Sequence, residues 1–159
     1  KGIHILKDSL EKVNINFKKN IQIVTLGNID KNFSFGKDIE HLNLKFSHNF
    51  SFINEIYNLS DVFLSPAIED SGNSMLIQSL FTGLPFISFN IAYAYDLKNL
   101  DVGYVCKSIS VNEFASGIEY FILMDKKKYK DLSDNCIKVA NNNYSNSILI
   151  NNFVDIVNN

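Results

Sequence analysis

The sequence predicts an α/β domain with a doubly wound, Rossmann-like parallel sheet, and three observations predict it. Short apolar runs alternate with segments of helical period along the chain. One strand–helix–strand stretch fits within about thirty residues, the length a parallel pair needs for its crossover. With 159 residues, 46% of them hydrophobic, the chain can bury one core and falls within the roughly 100–200 residues usual for a single domain.

The elements follow in order. Ile3, Leu6, Leu10 and Val13 recur at three- and four-residue steps, so residues 3–13 read as a helix. A helix so near residue 1 has no strand ahead of it, and the chain is expected to be cut from a longer protein. Residues 21–26, a largely β-branched apolar run stopped by Gly27, predict a strand buried on both faces. A loop follows to about Lys37. Alternation over 42–46 suggests a second strand, and Phe52, Ile53, Ile56, Tyr57 and Leu59 then form a helical stripe. Residues 61–66 read as a strand ending at Pro66. Residues 73–82 read as a helix with Met75, Leu76, Ser79 and Leu80 inward, and residues 84–89 return to strand. A short strand at 103–106 and helices at about 111–124, 127–141 and 147–157 close the chain.

Composition excludes several classes. Fifteen Lys against 17 acids leave a net charge of −2, so no basic nucleic-acid face is implied. Cys106 and Cys136 stand far apart without a CxxC partner, which suggests neither a zinc site nor a disulfide framework. A reducing, cytoplasmic setting is the simplest reading. No apolar run approaches the ~18 residues of a membrane span. His4 and His41 have no carboxylate or Cys spaced for a metal, and Lys126–Lys128 reads as a solvated helix start.

The segment 68–74, Ile-Glu-Asp-Ser-Gly-Asn-Ser, lies between a strand's carboxyl end and a helix's amino end. Free N–H groups and the helix dipole favour an anion there. Asp70, Ser71 or Asn73 would equally serve as plain helix caps, and local pattern does not choose between the two readings.

The wider string runs from Tyr57 through Asp61-Val62-Phe63-Leu64-Ser65-Pro66 and Glu69-Asp70 to Gln78, then Gly83-Leu84-Pro85-Phe86-Ile87. It resembles the C-terminal, donor-binding domain of retaining glycosyltransferases of family 4, which have the GT-B fold. Lys1-Gly2 before an amphipathic helix and Gly103-Tyr104-Val105 resemble two further elements of that domain. Where the family carries two Glu residues eight apart, this chain has Asp70 and Gln78 at the same spacing.

The resemblance implies roles. Gln78 would take the ribose hydroxyls, an amide accepting one bond and donating another. It would forgo the charge-assisted bonds that are roughly twice as strong, so weaker or altered donor binding is expected. Asp70, or Glu69 beside it, would lie near the donor sugar. The N–H groups of Gly72, Asn73 and Ser74 would hold the diphosphate, and Lys1 would neutralise charge that develops on its oxygen. Gly27 would offer backbone contact to the nucleobase or phosphate, while His48 reads as a surface residue. The donor would be a nucleoside diphosphate sugar, with no metal or other cofactor. Residues 1–159 would be the nucleotide-sugar-binding domain. An acceptor sugar or glycolipid would bind through an N-terminal domain outside this chain, so the fragment alone is expected to be inactive. In the whole protein the lysine run would contact anionic lipid at the inner face of a membrane. A non-catalytic nucleotide-binding or scaffold domain is the alternative, and a receiver domain is poorer because Gly27-Asn28-Ile29 supplies no acid after the first strand.

Overall fold

The structure is a computed structural model that describes residues 2–158. Parallel strands lie between two layers of helices. Strands β1 (Gln22–Leu26) and β2 (Glu40–Leu44) form one parallel pair. Strands β3 (Phe63–Ser65), β4 (Phe86–Phe89) and β5 (Gly103–Cys106) form a second parallel sheet in that order. The doubly wound α/β prediction holds, with the strands hydrogen-bonded in two groups rather than one continuous sheet.

The middle strand shows why the layers form. In β4, alternate side chains enter opposite faces, as a pleat with period two requires. Ile87 and Phe89 join a core with Leu6 and Leu10 of α1 (Ile3–Lys12) and Phe114 and Ile118 of α6 (Val111–Ile122). Phe86 enters the opposite core, with Leu76 and Leu80 of α4 (Ser74–Phe81), Leu97 of α5 (Tyr93–Leu97) and Cys136 of α7 (Lys126–Tyr144). All four β4 residues are buried. Gly103 matches this crowding, because a Cβ there would lie 2.5 Å from the Phe86 carbonyl oxygen.

Several expectations need correction. Strand β1 is not buried on both faces: only Ile23 is buried, because β2 is its single hydrogen-bonded neighbour. The second strand begins at Glu40 and ends at Leu44, two residues earlier than its alternation suggested. In α3 (Phe50–Asn58) the stripe holds at Tyr57, but Leu59 lies beyond the helix and is 87% exposed. In α4 Leu76, Ser79 and Leu80 face inward and Met75 does not. Two short helices, α2 (Ile15–Lys18) and α5, were not read from the sequence. Phe35, in what reads as a plain loop, is a buried plug against His41. The closing helices α6, α7 and α8 (Asn146–Asn158) lie where expected.

Candidate functional site

The site forms at the carboxyl ends of the strands, where open α/β sheets bind their ligands. Strand β3 ends at the buried Ser65, and residues 66–73 lead into α4. Asn73 is the N-cap. Its side-chain oxygen accepts from the Leu76 N–H at 3.3 Å, and its amide nitrogen donates to Ser65 Oγ at 2.6 Å. Its capping role is therefore real, and the second bond straps the start of α4 to the end of β3. Of the three candidate caps, only Asn73 caps α4.

Asp70 is exposed, and its carboxylate accepts from the Gly72 N–H at 3.0 Å. The Ser74 N–H donates to the Gly72 carbonyl at 2.9 Å. Two of the three N–H groups assigned to a phosphate are thus held within the loop. A ligand that used the Gly72 N–H would have to displace the Asp70 carboxylate from it.

Glu69 and Asp70 line an open cleft of about 570 Å³ with Ile68, Ser71 and Ile91. Gln78 does not share it. Its exposed side chain lines a groove of about 440 Å³ between α3 and α4, with Phe50, Ile53, Asn54, Tyr57, Phe81 and Thr82. Eight residues of loop and helix therefore carry the acid and the amide into two separate depressions, joined along the chain by the turn 72–74. Tyr57 anchors the groove floor by donating its hydroxyl to the Met75 carbonyl at 3.4 Å, and burial pushes its phenol up to about 12.

Gly2 is buried at the N-cap of α1, where a Cβ would overlap the Pro66 carbonyl oxygen. Its φ of 74° independently favours glycine. Residue 2 is thereby held at the foot of the site loop, while Lys1 lies outside the described residues. Gly27 directly follows β1, with φ 118° and open space where a Cβ would stand. Its N–H already donates to the Leu44 carbonyl at 2.9 Å. His48 is exposed and stacks edge-on with Phe46. Among the described residues, no group of three His, Cys, Asp or Glu could hold a metal ion.

Sequence reasoning missed the loop after β4. Ile91 lines the acidic cleft, and Tyr93 lies 3.7 Å from where a Gly72 Cβ would stand. Between them Ala92 adopts φ 46°, ψ −136°, a conformation L-residues rarely occupy. A short five-residue helix preceded by Asn-Ile-Ala gives little periodic signal to find.

Parallel strands packed against helices, with a cleft at the carboxyl end of β3, define an α/β domain of the Rossmann-like kind found in GT-B enzymes. The chain belongs to the glycosyl transferases group 1 family, whose profile matches residues 1–139. The fold is similar to a glycosyltransferase from Rickettsia africae, with TM-score 0.76, 18% identity, and coverage of 98% of this chain and 43% of that one. It is similar also to Anabaena HepE in complex with UDP, with TM-score 0.77, 14% identity, and coverage of 99% and 45%. A third similar structure is the E. coli protein solved with UDP-2-fluoro glucose, with TM-score 0.74, 13% identity, and coverage of 96% and 40%. The chain thus spans less than half the length of each of these structures. No curated protein matches it. No described helix is long and apolar enough to cross a membrane.

Proposed function

We propose that this chain is the donor-nucleotide domain of a retaining, family 4 glycosyltransferase. The protein would move a sugar from a nucleoside diphosphate sugar to an acceptor hydroxyl on a glycan or glycolipid. The observation that carries the reading is the pair of depressions flanking α4, one before its start and bearing two carboxylates, the other along its second half and bearing Gln78.

In this reading the diphosphate bridges the turn 72–74, with the sugar on the Asp70 side and the ribose on the Gln78 side. Donor binding turns the Asp70 carboxylate off the Gly72 N–H, freeing that donor for a phosphate oxygen and the carboxylate for a sugar hydroxyl. Cleavage of the sugar–phosphate bond leaves negative charge on oxygen, which the helix N-terminus and Lys1 stabilise. Gly27 contributes backbone contact at the neighbouring strand end. No metal or other cofactor takes part. The acceptor site belongs to an N-terminal domain beyond this chain, which makes the fragment alone inactive, and the whole protein works in the cytoplasm against the inner membrane face.

The second reading, a nucleotide-binding scaffold without turnover, is favoured by the closed state of the loop, where the Gly72 and Ser74 N–H groups are already bonded. Thermal melts with UDP, GDP and ADP test the binding both readings share. A ligand at 100 times its Kd adds about 2.7 kcal/mol, and a melting temperature that no 1 mM nucleotide moves would rule out donor binding. Nucleotide release from a sugar donor, measured on protein carrying both domains, separates enzyme from scaffold.

A further inference from the structure

The groove between α3 and α4 has a chemistry that sugar and diphosphate leave unused. None of its lining side chains carries a charge at neutral pH, whereas the neighbouring cleft holds Glu69 and Asp70. Such a groove suits the uncharged, flat portion of a nucleotide. Its volume of about 440 Å³ lies in the range of small-molecule sites.

Two residues of α3 stand out within it. Phe50, the first helical residue after the Asn49 cap, is 80% exposed, which leaves a large phenyl face in water. Asn54 follows at i+4, so both occupy one side of the helix. The Asn54 side-chain amide has no hydrogen-bond partner among the described residues. Its backbone carbonyl, by contrast, accepts from Asn58 Nδ2 at 2.8 Å. Gln78 lines the same groove from α4. The groove thus presents an aromatic face, an amide able to donate and accept one turn further on, and a second amide opposite.

We propose that Phe50 and Asn54 recognise the nucleobase of the donor, Phe50 by stacking on its face and Asn54 by pairing its amide with the base edge. The proposal rests on the donor-nucleotide reading, in which Gln78 holds the ribose. An aromatic ring stacks on any base, so Phe50 supplies affinity and Asn54 supplies the choice among bases.

The chain contains no Trp, so Phe50→Trp installs a single fluorophore while keeping an aromatic ring. Its emission is expected to change on titration with whichever of UDP, GDP and ADP binds. Phe50→Ala, at an exposed position where truncation leaves the fold intact, is expected to raise that nucleotide's Kd about 5- to 150-fold by calorimetry. Inorganic pyrophosphate, which has no base, is expected to bind the wild type and Phe50→Ala equally. Asn54→Ala is expected to narrow the preference among the three nucleotides. Nucleotide binding by Phe50→Ala at wild-type affinity, or binding that leaves the tryptophan emission unmoved, overturns the base assignment and leaves the donor reading standing. A wild-type chain that binds none of the three overturns both.

Discussion

The two strand groups of this domain differ in how apolar their residues are and still more in how far they are buried. Strand β4 lies between β3 and β5 with helices on both faces, and every residue in it is buried. Strand β1 carries three apolar residues, Ile23, Val24 and Leu26, yet it hydrogen-bonds to β2 alone and buries only Ile23. An apolar run records the capacity to be buried, while the number of neighbours decides how much burial is realised. The acidic depression is lined entirely by loops that follow β3 and β4, whereas the groove bearing Gln78 takes four of its seven lining residues from α3, a helix with only Tyr57 buried.

The largest expected effect tests that contrast directly. Phe89→Ala empties a fully buried ring site between β4 and α6 and should destabilise the chain by about 3–5 kcal/mol. Val24→Ala in β1 removes a half-buried side chain and should cost about 1 kcal/mol or less. Denaturant melts of the two variants check the ordering, and equal losses would break the contrast.

The same contrast explains what could be read from the sequence. The βαβ unit from β3 to β4 was legible because its strands are bounded by Pro66 and Gly83 and its helix has an apolar period. The largely exposed Leu59 and the half-exposed β1 were misjudged because apolar character is local and neighbour number is not. At the candidate site, Asp70, Gly72, Asn73 and Gln78 were singled out because their order and spacing resemble the family's. Their division between two depressions, and the bond from the Gly72 N–H to Asp70, depend on how α4 leans on α3 and how the loop turns. Ile91 and Tyr93 escaped notice because the loop that carries them has no motif.

A second, intermediate effect is alkaline. Burial, with a contribution from Glu113, pushes the Cys106 thiol from an ordinary value of 9.0 to about 12. Burial, with a contribution from Asp101, does the same for Cys136, and Tyr57 rises to about 12 by burial. All three belong to β3–β5 or to helices packed near them. Between pH 9 and 12 the unfolded chain releases these protons and the folded chain keeps them, so unfolding becomes easier as pH rises. Their contribution is complete below about pH 9 and disappears through pH 12. Melting temperature against pH should therefore fall above pH 9, and Cys106→Ser and Cys136→Ser together should shallow that fall. Below pH 9 neither thiol should react quickly with an alkylating reagent in the folded chain, since the thiolate is the nucleophile.

The smallest effect concerns backbone strain beside a cleft in the better-buried group. Ala92, at φ 46° and ψ −136°, caps α5 without a side-chain hydrogen bond, and its neighbour Ile91 lines the acidic cleft. A non-glycine residue in such a region costs about 1–3 kcal/mol. Glycine removes that cost but widens the unfolded ensemble by about 0.4–1 kcal/mol. Ala92→Gly should therefore gain on the order of 1 kcal/mol, a rise in melting temperature of roughly 2–4 °C for a domain of this size. A lower melting temperature would mean that unfolded-state entropy outweighs the relieved strain. The orientation of Ile91 and Tyr93 would then rest on their packing, Tyr93 edge-on against Tyr144 of α7, and not on a backbone held out of its preferred region.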